Sequence, residues 1–291
     1  MLNKLSIYLR LMRINKPIGW LLLLWPTLWA LWVAGDGAPS PKIVLIFIAG
    51  VFVMRAAGCI INDYFDKDLD RYVSRTKNRP LARGEITTLE AVILFIVLTI
   101  LGLALVLTLN RLTVFLALGG FVLICVYPLL KRFTYLPQPF LGIVFSWGTL
   151  MAFTAQKNEV TLIASGLFLA NLFWTIAYDT MYAMADRPDD MRVGIKSTAI
   201  LVGQYDLIFN AACQVVALMI LFFIGQELKL GIWFNAGLVG ALSTVIYQNR
   251  LCKDRNPEKC LKAFTNNSWF GFAVFVGILI SYLTAMQPLK I

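Results

Sequence analysis

Two short windows hold eight of the 16 acidic residues of this chain. The first window contains Asp63, Asp66, Asp68 and Asp70, and the second contains Asp179, Asp186, Asp189 and Asp190. Each window lies at the end of a long apolar run, where an isolated carboxylate is costly to remove from water. Carboxylates grouped in such a place become tolerable when divalent cations lie between them, so we interpret both windows as metal-binding.

Helical spacing sorts these residues into faces. Asn62, Asp66 and Asp70 are spaced by four residues and share one face if the helix continues through them. The residues of the second window that share a face are Asp179, Asp186 and Asp190. The remaining acids are interpreted either as supporting groups around the site or as solvated surface, and they are Asp63, Asp68 and Asp189.

Pro188 complicates the second group, because a proline inside a helical pattern can end the helix. It lies between Asp186 and Asp190. The helix could therefore end here and a second one start, which leaves Asp190 less firmly placed on the shared face than Asp179 or Asp186.

The ligand types limit the metal and its chemistry. The chain has no histidine, which excludes imidazole-based catalysis and His-ligated zinc or haem. Oxygen ligands without His or Cys indicate Mg²⁺, Mn²⁺ or Ca²⁺, and Mg²⁺ usually shares its shell with substrate phosphates. Acidic groups beside many basic residues therefore predict a metal-bound phosphate or diphosphate, although the acids could instead only pair with those bases. The basic side chains available to such an anion are Arg71, Arg79, Lys131, Arg132 and Lys196.

Arg55 lies inside an apolar run, seven residues before Asn62. At ~1.5 Å per helical residue it is roughly 10 Å deeper in the membrane than Asn62. A buried arginine in a span is rare and usually functional, so we interpret it as a partner for an anionic substrate group; snorkelling to the surface is the alternative. The aromatic residues next to the charged segments, which could line a reactive cavity rather than contact lipid, are Tyr127, Tyr178 and Tyr182.

The elements that position these residues are long apolar helices. The chain has 291 residues, of which 59% are hydrophobic and 14% charged. Apolar runs of ~20 residues cross a bilayer, so we predict an all-α integral membrane protein with nine transmembrane helices in a single domain over residues 1–291. The nine runs are Pro17–Ala34, Ile43–Ile61, Leu89–Leu109, Leu112–Leu130, Pro139–Ala155, Leu162–Met184, Leu207–Gly225, Leu230–Tyr247 and Trp269–Ala285.

Charge asymmetry between the loops predicts the orientation. With nine spans, 20 of the 26 basic residues fall on the side of the N-terminus, five fall on the opposite side, and Arg55 lies within a span. Cytoplasmic loops carry the excess of Lys and Arg. We therefore predict a cytoplasmic N-terminus, a periplasmic C-terminus and both acidic windows on the cytoplasmic side. The net charge of +10 then reflects membrane topology and contact with lipid rather than binding of nucleic acid.

The two windows also resemble known motifs. The segment from Asn62 to Asp70, NDYFDKDLD, resembles the NDxxDxxxD motif of the UbiA superfamily of intramembrane aromatic prenyltransferases. The segment from Asp179 to Asp190 resembles the second motif of that family, DxxxxxxDxxxD. Longer stretches such as KNRPLARG, YPLLKR and GIKSTAILVGQYD are similar to the ubiquinone-pathway branch that acts on 4-hydroxybenzoate. The resemblance covers nearly the whole chain.

The resemblance implies an architecture and a set of roles. It implies nine transmembrane helices around a central cavity capped by cytoplasmic loops, and Mg²⁺ that joins a prenyl diphosphate to the acids. Carried onto this chain, one metal belongs to Asn62, Asp66 and Asp70, and the other to Asp179, Asp186 and Asp190. Lys131 would contact the diphosphate, and Arg55 would meet the carboxylate of the aromatic acid.

The resemblance further implies an activity and a location. The substrates would be an all-trans polyprenyl diphosphate and 4-hydroxybenzoate, joined at the ring position ortho to the hydroxyl, with diphosphate released, in ubiquinone biosynthesis. The protein would lie in the bacterial inner membrane with its active site facing the cytoplasm. The residues expected to act directly in this reaction are Asp66, Asp179, Arg55 and Lys131. Asp179 could accept the ring proton or activate the phenol, and the sequence leaves both roles open.

Other functions remain to be separated from this one. Asp and Arg residues at the edge of a membrane also serve ion-coupled transporters, although such proteins often have two similar halves. Alcohol phosphotransferases use Asp clusters with a divalent metal, but their motif does not match the Lys67 that follows Asp66. Members of the same superfamily that act on haem or naphthoate share the Asp motifs, and only the longer segments argue against them.

Overall fold

A computed structural model describes residues 2–73 and 75–285, with the side chains of residues 2 and 3 not described. Within these ranges the chain is helical and contains no β-strand, which confirms the all-α prediction. Loops and a 3₁₀ turn at Gly203–Tyr205 join the helices, and the longest loop lies between Asp70 and Thr88. The helices are α1 (Leu2–Leu11), α2 (Ile18–Ala34), α3 (Pro41–Asp70), α4 (Thr88–Val106), α5 (Arg111–Phe133), α6 (Pro137–Lys157), α7 (Leu162–Val193), α8 (Thr198–Val202), α9 (Asp206–Glu227), α10 (Gly231–Cys252) and α11 (Pro257–Ala285).

Each of the nine apolar runs lies on one of these helices, from α2 to α7 and from α9 to α11. Among the described residues, six helical stretches are long and apolar enough to cross a membrane: α3, α4, α5, α7, Thr198–Glu227 and α11. Helix α2 is shorter but apolar, and α6 and α10 are not among the six stretches. The chain is therefore a multi-pass membrane protein, and the count of nine spans stays a prediction.

Local sequence signals set several helix ends. Helix α4 begins at a capping box, in which Thr87 and Glu90 each bond the backbone N–H of the other. Helix α7 ends at Gly194, whose φ of 75° is a left-handed conformation that glycine adopts without strain. These caps satisfy backbone groups that a helix leaves unpaired at its ends. The helices are therefore delimited by their own sequence as well as by packing.

Of the two possibilities that Pro188 left open, the structure shows a helix that does not end there. The helix continues through Pro188 to Val193. A proline removes one helical hydrogen bond, but contacts on both sides of it hold the last turns in line. One of these is the bond of Arg187 to the buried Asp206, at 2.6 Å. Asp186 and Asp190 consequently lie on one uninterrupted helix.

An aromatic cluster fixes α7 against α2 and α11. The rings of Trp29 and Trp174 lie 5.4 Å apart, and Trp174 stacks on Phe270 at 4.9 Å. Their indole N–H groups also have partners, since Trp29 donates to the Gly271 carbonyl and Trp174 donates to Asn267, both at 2.9 Å. Large buried rings with satisfied polar atoms contribute strongly to a core. The second acidic window is thus carried on a rigidly packed helix.

Apolar side chains cover the outward faces of α4 and α5. Ile93 and Ile100 of α4, and Leu107 directly after it, are 52%, 59% and 60% exposed in the isolated chain. Phe115 and Val122 of α5 are likewise exposed. An apolar surface of this extent is expected to face lipid rather than water.

Candidate active site

The two acidic windows meet in one cavity of about 940 Å³. It is bounded by α2, α3, α4, α5, α6 and α7 and by the loop between α3 and α4. All six residues that share the two helix faces line it: Asn62, Asp66, Asp70, Asp179, Asp186 and Asp190. The structure therefore brings together side chains that are more than 100 positions apart in the sequence.

The face of α3 presents Asp66 at its centre. Asp66 is 1% exposed, accepts a hydrogen bond from the amide of Asn62 at 3.0 Å and pairs with the ammonium of Lys131. Both partners use Oδ2, and the buried Oδ1 has no hydrogen-bond partner among the described residues. An unpaired carboxylate oxygen is costly to bury, so this oxygen is suited to a cation that arrives with the substrate.

Asp63 and Asp70 share a single arginine. Arg79 lies 2.8 Å from Asp70 and 3.0 Å from Asp63. Arg13, from the segment after α1, contacts Asp63 at 2.5 Å. Asp63 is only 2% exposed, so of the two interpretations it belongs to the supporting groups around the site and not to the surface. Asp68, by contrast, is exposed.

On the acidic face of α7, Asp186 makes the main contact with the rest of the protein. Arg75 donates to both oxygens of Asp186, at 2.9 and 2.5 Å, and its guanidinium lies 4.3 Å from the centre of the Tyr182 ring. Asp190 is more buried than Asp186, with 8% of its surface exposed. Asp179 lines the same cavity as Gln138 of α6. The Arg75 pair therefore joins the loop after α3 to the acidic face of α7.

Arg55 lies deep in the cavity wall. Its Nη1 donates to the thiol of Cys59 at 2.5 Å, and its buried Nε has no hydrogen-bond partner among the described residues. Gly19 of α2 makes room for it, because a Cβ added at Gly19 would lie 2.5 Å from Nη2. A buried guanidinium with an unused donor is suited to an anionic group in the cavity.

The three tyrosines named above also line the cavity, namely Tyr127, Tyr178 and Tyr182. Tyr178 is fixed by an edge contact with Trp174, with 5.3 Å between ring centres. The guanidinium of Arg75 packs over the ring of Tyr182. Their position agrees with the interpretation that they form part of the cavity wall.

Two of the five predicted anion-binding side chains do not reach the cavity. Arg71 donates to the Ala82 carbonyl at 3.2 Å, and Arg132 donates to the Phe65 carbonyl; neither side chain lines the cavity. Lys196 does line it, but its ammonium donates to the Phe133 carbonyl at 3.2 Å. In the structure these basic side chains therefore bond backbone carbonyls, whereas the sequence alone suggested that they could bind a phosphate.

Other cavity residues were not singled out from the sequence. The cavity wall also includes Arg13, Lys16, Arg75 and Gln138. In the sequence the three basic residues could not be distinguished from the other charged residues of the loops, and Gln138 follows a proline in an apolar context.

The charges at this end of the cavity affect one another. Burial, together with the nearby guanidinium groups of Arg13 and Arg75, lowers the pKa of the Lys16 ammonium. For Arg75, burial opposes its charge, but Tyr182 and Asp186 outweigh burial and raise the pKa of the guanidinium. This end of the cavity is therefore crowded with positive charge.

The far end of the cavity is apolar. Its wall is formed by Leu103 and Val106 of α4, Phe121 of α5, and Trp147 and Met151 of α6. A cavity that is charged at one end and apolar at the other suits an amphiphile with an anionic head and a hydrocarbon tail.

The charged end has a donor set that fits Mg²⁺ shared with a substrate. Among the described residues, no three acidic or cysteine side chains are grouped closely enough to hold a metal alone. Mg²⁺ does not require such a cage, because it is usually bound by one or two carboxylates, waters and substrate phosphates. The buried free oxygen of Asp66 and the carboxylates of α7 supply that partial set.

The chain is similar to known proteins over nearly its whole length. It is 54% identical over 275 residues to a 4-hydroxybenzoate octaprenyltransferase from Coxiella burnetii, covering 94% of this chain and 96% of that protein. Its fold matches the apo structure of a UbiA homologue from Aeropyrum pernix K1, with a TM-score of 0.78 and 21% identity over 92% of this chain and 98% of the other.

A second solved structure carries ligands. It is a UbiA homologue from Archaeoglobus fulgidus bound to GPP and Mg²⁺, with a TM-score of 0.69 and 21% identity over 92% of this chain and 99% of the other. At this identity the likeness concerns the fold alone. The model of the UbiA prenyltransferase family matches residues 23–280. The fold, the motifs and this match together place the chain in the UbiA prenyltransferase family.

Proposed function

We propose that this protein transfers a polyprenyl group from an all-trans polyprenyl diphosphate to the carbon ortho to the hydroxyl of 4-hydroxybenzoate. The names of relatives at about half identity support this activity and its place in ubiquinone biosynthesis. The structural observation that carries it is the single cavity, with acids and bases at one end and apolar side chains at the other. The charged end is suited to the diphosphate and the apolar end to the tail.

The first acidic face and its bases hold the diphosphate end. We assign one Mg²⁺ to Asn62, Asp66 and Asp70, and a second to Asp179, Asp186 and Asp190. When bound, Mg²⁺ supplies positive charge that stabilises the leaving diphosphate. Lys131 and Arg79, which now pair with the first group, supply further positive charge beside the same oxygens.

The reaction breaks the bond between the allylic carbon and the diphosphate oxygen, which keeps the electron pair. The allylic carbon thereby gains positive charge and must be kept from water, which a cavity enclosed by the helices does. The ring carbon ortho to the phenol then forms the new carbon–carbon bond, and its proton leaves. We assign the acceptor role to Asp179, which lies on the same cavity wall.

Arg55 orients the aromatic acid. The support for this role is that Arg55 lines the cavity and that its buried Nε has no hydrogen-bond partner among the described residues. A guanidinium binds a carboxylate through paired, charge-assisted hydrogen bonds. Holding the carboxylate there would aim the opposite, phenolic end of the ring at the prenyl carbon.

We also propose the finer membrane arrangement. All nine long helices span the bilayer as a single domain over residues 1–291, with the N-terminus cytoplasmic, the C-terminus periplasmic and the charged end of the cavity facing the cytoplasm. The distribution of basic residues supports this orientation. Lys290, which was counted on the periplasmic side, lies outside the described residues.

The acidic faces can be tested with matched substitutions. Asp66→Ala and Asp186→Ala are each expected to reduce turnover by at least 1,000-fold, because a loss of ~4 kcal/mol of charge stabilisation in the transition state gives about that factor. Asp68→Asn is the control, because Asp68 belongs to the same window but is exposed. Turnover is measured as prenylated product from purified protein. Near-normal kcat in either Ala variant would contradict the assignment of metal and diphosphate to this site.

A further inference from the structure

The ion pair between Arg75 and Asp186 engages a carboxylate that the proposed reaction needs as a metal ligand. Both oxygens of Asp186 accept hydrogen bonds from the guanidinium, at 2.9 and 2.5 Å. The pair is partly shielded from water, since the side chains of Arg75 and Asp186 are 30% and 14% exposed. The same carboxylate is assigned to a metal in the proposed function, on which this inference rests.

Arg75 and a metal compete for Asp186. A divalent cation bound to this carboxylate would lie within a few ångströms of the guanidinium, where the two positive charges repel each other strongly in a poorly hydrated cavity. The two hydrogen bonds from the Arg75 guanidinium also occupy the lone-pair directions through which the Asp186 oxygens would bind a metal. Binding of metal to Asp186 therefore requires Arg75 to withdraw.

The structure also offers Arg75 a second partner. Its guanidinium lies over the ring of Tyr182, a contact that does not depend on the carboxylate. It lines the charged end of the cavity, beside the bases Arg13, Lys16 and Arg79. A diphosphate bound between the acidic faces would bring anionic oxygens to this position, and guanidinium groups bind phosphate as readily as carboxylate.

We propose that Arg75 holds Asp186 while the cavity contains no substrate, and exchanges this carboxylate for an oxygen of the prenyl diphosphate when the metal and diphosphate bind. Arg75 thereby suppresses binding of metal alone and favours binding of metal together with diphosphate. It is a substrate-contacting residue whose two partners alternate. Removing it has opposite effects on the two ligands, which neither a structural role nor a simple phosphate-binding role would produce.

The test compares metal binding with diphosphate binding in Arg75→Gln. Mn²⁺ alone is titrated into the purified, substrate-free protein and free Mn²⁺ is followed by electron paramagnetic resonance. We expect about tenfold tighter Mn²⁺ binding in the variant, because a charge-assisted pair that competes for the site is worth about that factor. With Mg²⁺ saturating, we expect the KM for prenyl diphosphate to rise by about tenfold. Unchanged or weaker Mn²⁺ binding would overturn the proposal.

Two further variants separate this effect from charge and folding. Arg83→Gln removes a guanidinium from the same loop, but Arg83 pairs with Glu85 at 3.2 Å and is 54% exposed, so its Mn²⁺ affinity should match the wild type. Arg75→Lys keeps the charge but loses the fork, and its Mn²⁺ affinity should lie between those of the wild type and Arg75→Gln. If Arg75→Lys binds Mn²⁺ as tightly as the wild type does, the positive charge alone sets the Mn²⁺ affinity. That result would overturn the proposed exchange of partners by Arg75.

Failure of the proposed function would give a different result. Asp186→Asn should weaken Mn²⁺ binding, because it removes the ligand charge itself. If Asp186→Asn binds Mn²⁺ as the wild type does, the metal assignment is wrong and the exchange falls with it. If Asp186→Asn weakens binding but Arg75→Gln does not tighten it, the metal assignment stands and only the exchange is overturned.

Discussion

The contact between Gly19 and Arg55 allows a sharp test of the role assigned to Arg55. A Cβ added at Gly19 would lie 2.5 Å from Nη2 and 2.7 Å from Nε. Non-bonded heavy atoms need about 3.5 Å, so in Gly19→Ala the guanidinium must move by ~1 Å. The end of a long side chain can move without repacking the core. The substitution therefore displaces the charge while leaving the fold in place.

The expected effect falls on one substrate. A hydrogen bond to a charged group is worth about 1.5–3 kcal/mol, and a displacement of ~1 Å should lose about half of it, which is roughly three- to tenfold in affinity. We expect the KM for 4-hydroxybenzoate to rise by about this factor. The KM for the prenyl diphosphate should not change, because Arg55 lies about two helical turns from Asn62. Stability should not fall, since alanine favours a helix by ~1 kcal/mol over glycine.

The assay is steady-state kinetics on purified Gly19→Ala with each substrate varied in turn, together with a thermal melt. Gly240→Ala is the matched control, because a Cβ there makes only an ordinary 3.5 Å contact with Ala273 and α10 does not line the cavity. Arg55→Ala should raise the KM for the aromatic acid further, and adding Gly19→Ala to it should change nothing. An unchanged KM in folded Gly19→Ala, or additive effects in the double variant, would refute the reasoning.

Two further predictions concern topology and stability. A single cysteine placed at the exposed Lys77, in a background without native cysteines, should react with a membrane-impermeant maleimide only from the cytoplasmic side; labelling from the periplasm would overturn the orientation. Asp206→Asn should lower the melting temperature, because the buried Asp206 accepts bonds from Arg187 and Arg255 and weakening them costs about 2 kcal/mol; an unchanged melt would show that this pair does not hold the end of α7.

Sequence spacing was sufficient where the geometry is local. The face shared by Asn62, Asp66 and Asp70 depends only on a helix that continues, and α3 does continue to Asp70. The face of α7 follows from the same rule. Its continuation through Pro188 could not be predicted, because it depends on contacts with other helices, such as that between Arg187 and Asp206.

The sequence could not predict which basic residues pair with the carboxylates of the site. The loop after α3 contains several arginines and lysines without helical periodicity, so nothing in the sequence ranks Arg75 above Arg71. The fold does so by placing Arg75 over Tyr182 and beside Asp186, whereas Arg71 bonds a backbone carbonyl. The close approach of Gly19 to Arg55 likewise depends on how α2 packs against α3, and no local pattern encodes it.

The central claim is that this cavity joins a polyprenyl group to 4-hydroxybenzoate with the help of a divalent metal. The most direct measurement is mass spectrometry and NMR of the product formed by the purified protein from 4-hydroxybenzoate, Mg²⁺ and a polyprenyl diphosphate. We predict one product, prenylated ortho to the hydroxyl, with diphosphate released in equal amount and the reaction lost on chelation of the metal and restored by Mg²⁺. Absence of that product from folded protein, or its undiminished formation without divalent metal, would contradict the account.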